Sequence, residues 1–575
     1  MEFFLPTSRK ELQAHGWNNV DIILFTGDAY IDHPSFGIAV IGRVLEAQGY
    51  RVAVVPQPNW QDDLRDFKKL GAPRLFFGVS SGNMDSMVNH YTAGKRLRSR
   101  DAYTPDGRAG ARPHRAVTVY TQILKSLYPH IPVVIGGIEA SLRRLGHYDY
   151  WEDKWSASVL VESGADYLVY GMGERAITEL AYKIRKRASI QEVQKTPQIA
   201  WVDEGTGGQA WGKEAIVLHS FETCVRSKEA CIENFNVIER EANATTAKVL
   251  VEPVLDRYVV VNPPFPLMAS HELDAIYNLP FTRLPHPRYR GKHIPAYEMV
   301  KHSITLHRGC FGGCSFCTIA AHQGRHIVSR SRESVLTEVK ALVAHPEFKG
   351  VISDLGGPSA NMYGMGGINR ELCNTCVRTS CLFPKICKNL DHNHTSLTEL
   401  YKAVRGVQGV RHAFVGSGIR YDLFLDPHGF TSREGQRYFE ELLHHHISGR
   451  LKVAPEHTQD NVLHYMEKPS FRLFERLQEC FDRVNAMENL KLQLVPYFIS
   501  AHPGCTEKDM EALSQKLHKR KVSVEQVQDF TPTPMTRSSV MFYTKNDLKT
   551  GKEIFVERDN MLKKRQKTYF FQKKV

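Results

Sequence analysis

The chain has 575 residues, of which 42% are hydrophobic and 24% charged, and this composition excludes a largely disordered protein. Lys and Arg number 75 against 62 Asp and Glu, which gives a formal net charge of +13. No apolar run approaches the ~18 residues that a membrane-spanning helix needs. The first residues, MEFFLPTSRKELQAHGW, carry charges where a signal peptide has its apolar core. We therefore expect a cytoplasmic protein with no membrane partner, whose thiols stay reduced.

Residues 1–180 repeat a pattern of apolar strand, glycine turn and helix. This alternation predicts an open, doubly wound α/β domain with its loops at the carboxyl ends of the strands. Residues 181–300 contain a helical segment followed by Pro-rich and basic stretches, so we expect a helical linker and an extended strap there. The strand segments of the first domain are NVDIILFTGDAY, RVAVVPQP, PRLFFGVSSG, HIPVVIGGIEAS and ADYLVYGMGE.

Seven of the 11 cysteines fall in two short windows, and the other four are scattered. An odd number of cysteines in a cytoplasmic chain argues against a disulfide framework and favours metal binding or redox chemistry. We expect Cys224, Cys231, Cys480 and Cys505, the scattered ones, to pack as small hydrophobic residues.

The first window holds Cys310, Cys314 and Cys317 with the spacing C-x3-C-x2-C. It lies between a strand pattern, HSITLHRG, and a helical pattern, SRSRESVLTEVKALVAH, so the loop follows the carboxyl end of a strand, where α/β barrels place their chemistry. Three thiolates can hold three irons of a cubane cluster and leave the fourth iron open to another ligand. The alternative is a zinc knuckle with His307 or His322 as its fourth ligand.

This loop resembles that of the radical S-adenosylmethionine (SAM) superfamily, and the longer strings are similar to the uncharacterised YgiQ-like (UPF0313) family. The resemblance implies that the three cysteines hold a [4Fe-4S] cluster whose open iron chelates SAM, while Phe316 can cover the adenine. One electron then cleaves SAM to methionine and a 5′-deoxyadenosyl radical, which acts on an unknown substrate. The strings that carry the resemblance are GDAYIDHPSFG, GGIEASLRR, HYDYW, RGCFGGCSFC, DLGGPSANMYG, KVAPEH and PYFISAHPG.

Residues 301–530 continue with strands that alternate with helical patterns, which predicts a parallel sheet, and the superfamily has a partial (β/α)6 barrel. The strand candidates after the cysteine loop are KGVISDLGGPSAN, RHAFVGSGIRYD, GRLKVAPEH, LKLQLVPYFISAHPG and VEQVQDFTPTP. The resemblance implies SAM contacts from residues at the carboxyl ends of these strands. A glycine motif would meet the SAM amino group, although no Glu follows its two glycines here, and later strand ends would meet the ribose, carboxylate or adenine. These predicted contacts are Asp354, Gly356, Gly357, Ser417, Arg420, Glu456 and His502.

The second window lies in an insertion over residues 361–395 that is rich in Asn, Arg, Gly and His. Four soft ligands within 15 residues can saturate a metal. Two interpretations remain open, a structural zinc site and an auxiliary iron–sulfur cluster, and reduced thiols without a metal are a third. His392 and His394 follow closely and can substitute as ligands. The four cysteines are Cys373, Cys376, Cys381 and Cys387, spaced C-x2-C-x4-C-x5-C.

The N-terminal domain resembles the cobalamin-binding-like domain that precedes many radical SAM barrels. The usual cobalamin signature, D-x-H-x-x-G, is not met, because His33 follows Asp32 directly and stands four residues before Gly37. Gly136 and Gly137 do match the later glycine pair. We therefore do not expect cobalamin to bind.

Residues 531–575 form a basic C-terminal extension that ends LKKRQKTYFFQKKV, and together with the net charge of +13 it raises the possibility of an RNA partner. The sequence thus predicts a radical SAM enzyme that receives electrons from a donor such as flavodoxin or ferredoxin. One alternative is an RNA-modifying, methylthiotransferase-like enzyme that uses a second cluster. Another is a non-catalytic iron–sulfur or zinc protein that binds RNA.

Overall fold

The computed structural model of the protein describes residues 4–205, 211–244 and 246–571. The chain forms two compact units. The first comprises Met1–Pro266 and Ala275–Lys301, and the second comprises Leu267–Asp274 and His302–Val575. The 181–300 segment therefore belongs mostly to the first unit, and the C-terminal extension belongs to the second.

Five parallel strands form the centre of the first unit. Their side chains are almost all buried, as expected for a parallel sheet covered on both faces. The spatial order places the second strand of the chain first, followed by strands one, three, four and five, which is the doubly wound arrangement that the sequence predicts. The strands in this spatial order are Val52–Pro56, Ile22–Thr26, Phe76–Ser80, Val133–Gly136 and Tyr167–Val169.

Four more strands extend this sheet beyond Tyr167–Val169. Ile199–Asp203 pairs antiparallel with Tyr167–Val169, and the antiparallel hairpin of Leu250–Val254 and Arg257–Val261 follows it. Ile216–Val217 completes the nine strands by pairing in parallel with Leu250–Val254.

The prediction of a helical linker and strap over 181–300 missed these four strands. The local signal was present, because VLVEPVLDRYVVV holds two β-branched runs on either side of a turn at Leu255, which has φ 55°. Burial of Trp201, Val259 and Val260 makes these strands part of the core of the first unit. Between residues 262 and 301, where an extended strap is predicted, the structure has helices Ser270–Tyr277 and Pro295–Val300 and a 3-10 turn at Pro287–Tyr289.

Helices and short elements surround the sheet of the first unit. Helix Gly37–Ala47 packs against Glu174–Arg185, and Ala116–Leu127 packs against Val159–Ser163. The remaining helices are Arg9–Ala14, Arg65–Lys68, Ser86–His90, Gly137–Leu142, Ile190–Gln194, Phe221–Arg226, Lys228–Asn243 and Pro295–Val300, with 3-10 turns at Pro105–Gly107 and Pro287–Tyr289 and a hairpin of His147–Asp149 with Lys154–Ser156.

Six parallel strands succeed one another in the second unit, and each pairs with the next. Ser303 pairs with Asp354, Val351 with His412, and a parallel bridge joins Ile419 to Val453. The last three strands form one continuous parallel sheet. This confirms the partial (β/α)6 barrel. The strands are Ser303–Thr305, Val351–Ile352 with Asp354–Gly356, His412–Ala413, Arg450–Glu456, Gln493–Ser500 and Gln526–Asp529.

A helix follows every barrel strand, and side-chain hydroxyls cap several of these helices. Ser331, Ser432 and Thr506 each accept a hydrogen bond from a first-turn backbone N–H, which satisfies a donor that the helix leaves free. The helices after the strands are Arg332–Val343, Thr395–Arg405, Arg433–His445, Asp460–Met466 with Phe471–Met487, Glu507–Lys519 and Arg537–Thr544. The other elements are helices Ser270–Tyr277, Ile319–Gln323, Arg370–Asn374 and Asn560–Thr568, a 3-10 turn at Tyr421–Leu423, and the strand pairs His307–Arg308 with Val328–Ser329, Gly366–Gly367 with Leu390–Asp391, and Leu425–Asp426 with Gly429–Phe430.

The basic C-terminal extension folds onto the second unit through helix Asn560–Thr568. Lys563 is buried and lies over the ring of Phe542. Arg565 pairs with Glu507 at 2.7 Å. Part of the positive charge of this extension is therefore compensated within the chain, and the last four residues of the predicted extension lie outside the described part. In that described part, we find no helix that combines the length and the apolar character needed to cross a membrane.

A buried charge network lies after the strands of the first unit. Arg112 contacts Asp28 at 2.7 Å and Asp101 at 3.1 Å, so one guanidinium faces two carboxyl groups. Burial, opposed by Arg112, raises the pKa of Asp28 to about 6. A carboxyl group whose pKa is higher in the folded than in the unfolded state reduces stability as it ionises with rising pH.

Replacing Asp28 with Asn should flatten the pH dependence of stability between about pH 4 and 6. In this window the unfolded chain has released the Asp28 proton while the folded chain still holds it, so the free energy of unfolding of the natural protein falls as pH rises, by up to ~3 kcal/mol. Urea unfolding of both proteins across the window measures this slope. Asp63→Asn, at an exposed carboxylate, is the control and should leave the slope unchanged. Equal slopes for Asp28→Asn and the natural protein would contradict the assignment.

Candidate functional site

The first cysteine loop turns where only glycine fits. Gly309 has φ 86°, and a Cβ there would lie 2.1 Å from the carbonyl oxygen of His326. Gly313 has φ 63°, and its Cβ would lie 2.4 Å from the carbonyl oxygen of Thr379. Cys310 N–H donates to the carbonyl of Gly324 at 3.1 Å, which closes the loop on itself. The chain therefore bends tightly behind Cys310, Cys314 and Cys317, because Gly309 and Gly313 have no side chain.

The three thiols of this loop lie within electrostatic range of one another. Burial and the neighbouring Cys314 and Cys310 raise the pKa of Cys317 to about 12, and burial together with Cys314 raises the pKa of Cys310. Cysteines bind metal as thiolates, so a positive centre must offset this penalty. The donor set, three neighbouring thiols on one glycine-rich turn, fits a cluster with one open iron.

Arg420 supplies a positive charge at this loop. Its Nη1 donates to Cys314 Sγ at 3.2 Å and would lie 2.8 Å from a Cβ on Gly312. Asp422 accepts from Arg420 Nε and Nη2 at 2.9 and 2.6 Å, and the backbone of Arg420 exchanges two hydrogen bonds with the Asn361 amide. Burial disfavours the guanidinium cation, but Asp422 and Cys314 outweigh burial and raise the pKa of Arg420 above its ordinary value. Arg420, predicted as a SAM contact, thus directly contacts the thiol of Cys314.

Asp354 and Ser417 contact each other and join two barrel strands. Asp354 Oδ1 accepts from the backbone N–H of Gly416 at 2.9 Å and of Ser417 at 3.2 Å, and Ser417 Oγ donates to Oδ2 at 2.5 Å. These bonds fix the end of the third strand against the second. Both residues are predicted SAM contacts, and in the structure their side chains are hydrogen-bonded to each other.

The predicted glycine motif is close-packed. The carbonyl of Gly356 accepts a hydrogen bond from Leu306 N–H at 2.7 Å, so this acceptor is already used. A Cβ on Gly357 would lie 2.5 Å from His307 Nε2. His307 is fully buried, and its Nε2 lies 3.0 Å from the carbonyl of Ser359. The structure therefore gives His307 a packing role beneath the glycines and does not place it as the fourth ligand of a zinc knuckle.

Glu456 ends the fourth barrel strand in the left-handed backbone region, with φ 68°. This backbone conformation is strained for a non-glycine residue, and such strain is concentrated at functional sites. Its buried carboxylate lies 3.7 Å from Nζ of Lys468, which is only 5% exposed. Burial raises the pKa of Glu456, and Lys468 offsets part of this shift. Lys468 is not among the predicted contacts, because it lies in a loop after a helix and outside every predicted strand end.

His502 is linked to the first cysteine loop. Its ring meets Phe316 edge to face at 6.1 Å, and its Nε2 lies 2.7 Å from Ser538 Oγ. Ser538 Oγ is 2.8 Å from Ser315 Oγ, and Ser538 N–H donates to the carbonyl of Ser315 at 2.9 Å. Burial lowers the pKa of His502 to about 3, so the ring is neutral. The helix after the sixth strand thereby holds the loop residue between Cys314 and Phe316.

In the insertion, Cys373, Cys376 and Cys387 lie within electrostatic range of Cys381. Burial raises the pKa of Cys381 to about 11. The neighbouring Arg325 lowers this pKa, whereas Cys387, Cys376 and Cys373 raise it further. His392 and His394, the alternative ligands, are engaged elsewhere: His392 Nδ1 lies 2.8 Å from the carbonyl of Leu423, and His394 Nε2 lies 3.2 Å from Asn361 Nδ2. In the ranges that the structure describes, no three His, Cys, Asp or Glu side chains are grouped as around a single metal ion. The scattered cysteines are buried and free, as expected.

In the first unit, the two residues that come nearest to a cobalamin signature, Asp32 and His33, contact other residues of the fold. Asp32 forms a buried ion pair with Arg43 at 2.5 Å and accepts from Thr282 N–H at 2.9 Å. His33 is fully buried, and its Nδ1 accepts from Ser35 N–H at 3.0 Å. Asp32 and the Nδ1 atom of His33 are therefore engaged in contacts within the first unit.

The sequence is similar to a family described as Radical SAM N-terminal, which matches residues 4–303. It is 53% identical to a UPF0313 protein of Bacteroides thetaiotaomicron over 583 residues, covering 99% of this chain and 94% of that protein. It is 42% identical to the UPF0313 protein YgiQ of Escherichia coli K12 over 613 residues, covering 96% and 82%.

The fold is similar to a radical SAM methyltransferase, TsrM from Kitasatospora setae. A structure of that protein with tryptophan substrate and a SAM analogue bound matches with a TM-score of 0.51 and 15% identity, covering 90% of this chain and 75% of that one. A second structure, with cobalamin and a [4Fe-4S] cluster bound, matches with a TM-score of 0.50 and 15% identity, covering 91% and 78%. At this identity the likeness concerns the fold.

Replacing Arg420 and Asp422 together with Gln and Asn should make the reduction potential of a cluster on the first loop more negative. A cationic donor to a cluster sulfur stabilises the more negative, reduced state, and the double change avoids leaving Asp422 buried without its partner. An anaerobic redox titration followed by EPR measures the shift. Arg472→Gln, on an exposed face of helix Phe471–Met487, is the control. An unchanged potential in the double variant would show that the Arg420 contact has no electronic effect.

Replacing Asp354 with Ala should destabilise the barrel by about 2 kcal/mol, because three hydrogen bonds to one carboxylate are lost. Asp354→Asn, which keeps an acceptor oxygen, should recover part of this loss, whereas the exposed Asp482→Ala should have little effect. Denaturant unfolding of the three variants provides the comparison. If Asp354→Ala were as stable as the natural protein, the link between the second and third strands would be energetically irrelevant.

Proposed function

Since the chain belongs to the UPF0313 (YgiQ) family of radical SAM proteins, we propose that it is an enzyme that holds a [4Fe-4S] cluster and cleaves SAM reductively. The observation that carries the proposal is the loop of Cys310, Cys314 and Cys317, whose thiols lie within electrostatic range of one another after the first barrel strand. When bound, the cluster supplies one electron and an open iron for the methionyl group of SAM. A donor of the flavodoxin or ferredoxin class would provide that electron.

The residues of this chain would prepare the site for SAM in three ways. Arg420 donates to Cys314 and compensates negative charge on the loop. Phe316, held by His502, offers a ring face of the size of adenine. Glu456 and Lys468 place a carboxylate and an ammonium 3.7 Å apart in a buried setting, which complements the amino and carboxylate groups of a methionyl zwitterion.

We further propose that the four cysteines of the insertion bind a metal, as an iron–sulfur cluster or as zinc. Four thiolates suit either centre, since both bind cysteine preferentially.

Anaerobically reconstituted protein supplied with SAM and dithionite should release 5′-deoxyadenosine and methionine. The Cys317→Ala variant should release neither, because the cluster loses one of its three thiolates. Cys480→Ala, at a buried cysteine of helix Phe471–Met487, is the matched control and should retain release. Product is measured by chromatography, with iron and sulfide counted in the same samples. Absence of 5′-deoxyadenosine from natural protein with an intact cluster would refute the proposal.

A further inference from the structure

The cysteine insertion is hydrogen-bonded to the first cysteine loop. Cys381 N–H donates to the carbonyl of Phe311 at 3.0 Å, next to Cys310 in the chain. Ser380 Oγ donates to the carbonyl of Gly312 at 2.7 Å. A second-group cysteine and its neighbour thus bind the two residues that immediately follow the first ligand of the catalytic loop.

Ser380 is the centre of this junction. It is only 2% exposed, and besides donating to Gly312 its Oγ accepts from the N–H groups of Leu382 and Phe383 at 3.0 and 2.9 Å. Gly313 packs directly on it, since a Cβ there would lie 2.7 Å from the Cβ of Ser380. One hydroxyl therefore couples the turn of the insertion to the turn of the catalytic loop.

Arg325 adds a second connection from the residues that follow the first cysteine loop. Its Nη2 donates to the carbonyl of Cys376 at 3.0 Å, and its Nη1 donates to the carbonyl of Arg378. The arginine thus orders the segment between the second and third insertion cysteines.

The two cysteine groups share one small hydrophobic core. Phe311, Leu382 and Leu390 are buried in it. Cys310 packs against this core, as do Cys381 and Cys387. A change of packing at one cysteine group therefore acts on side chains that support the other, because close-packed interiors transmit such changes.

The surroundings of Cys373 in the insertion suit a thiolate ligand. Cys376 N–H donates to the carbonyl of Cys373 at 3.3 Å, the same turn that joins Cys317 to Cys314 at 3.1 Å. Asn389 Nδ2 donates to Cys373 Sγ at 3.4 Å, and a Cβ on Gly367 would lie 2.3 Å from that sulfur. A polar donor to sulfur and a glycine that leaves room for it are typical of thiolate metal sites.

We propose that Cys373, Cys376, Cys381 and Cys387 bind a thiolate-coordinated metal centre that fixes the catalytic loop in its SAM-binding conformation through Ser380. The role at the catalytic loop rests on the proposed function, whereas the metal site itself does not. Without the metal, the four thiols and the Pro- and Gly-containing loop that carries them would lack the bonds that order them. The carbonyls of Phe311 and Gly312 would then lose their ordered donors, Cys381 N–H and Ser380 Oγ.

Metal content of the full-length chain tests the site, with every variant reconstituted anaerobically in separate iron–sulfide and zinc arms. A Cys310→Ala, Cys314→Ala, Cys317→Ala variant should still bind ~4 iron and ~4 sulfide, or ~1 zinc, and the arm that fills identifies the metal. The Cys381→Ser, Cys387→Ser double variant should lose the metal bound by the insertion and keep the catalytic cluster. If the triple variant binds neither metal while its circular dichroism remains native, the site does not exist.

Ser380→Ala tests the coupling without removing a ligand. We expect it to keep its full metal content but to bind SAM several-fold more weakly, measured as the SAM concentration that changes the EPR signal of the reduced catalytic cluster. Ser396→Ala, at an exposed serine of helix Thr395–Arg405, should match the natural protein. Equal SAM binding by Ser380→Ala and the natural protein would overturn the coupling. Failure of SAM cleavage in natural protein would instead contradict the proposed function and leave the metal counts unaffected.

Discussion

Three thiols that must ionise side by side impose the main constraint on this protein. Burial and mutual repulsion hold the pKa of Cys317 near 12, so the loop needs positive charge and hydrogen-bond donors before it can act as a ligand set. Bound iron would supply most of that charge, and Arg420 supplies a part that the fold itself provides, through its donation to Cys314. The glycines of the loop follow from the same constraint, because the backbone must pass close behind the sulfurs.

The support around this loop comes from distant parts of the second unit. Ser538, after the sixth barrel strand, holds Ser315, while Ser380 in the insertion holds Gly312. Arg420, after the third strand, is itself fixed by Asp422 and Asn361. A cysteine loop without secondary structure of its own is thus positioned by hydrogen bonds from one helix and two loops, as a preorganised site requires.

Much of this could be predicted from the sequence, because strand–helix alternation and cysteine spacing are local signals. The six barrel strands and the doubly wound sheet agree with the structure on that basis. The strands between 199 and 261 were missed because the segment also contains a strong helical pattern, Lys228–Asn243, which dominated the interpretation. The roles of strand-end polar residues were harder to predict: Asp354 and Ser417 bind each other, and which partner a side chain finds is a tertiary property. Lys468 and Ser380 carry no local signal, since a single Lys or Ser in a loop is ordinary.

The account makes one central claim, that the loop of Cys310, Cys314 and Cys317 leaves an iron open for SAM. Electron–nuclear double resonance on the reduced protein with SAM labelled at its amino nitrogen or carboxylate oxygen tests this claim directly. We predict a hyperfine coupling between the cluster and the labelled atom in the natural protein, and the same coupling in a variant that lacks Cys381 and Cys387. A fully assembled and reduced cluster that shows no coupling to labelled SAM would contradict the claim.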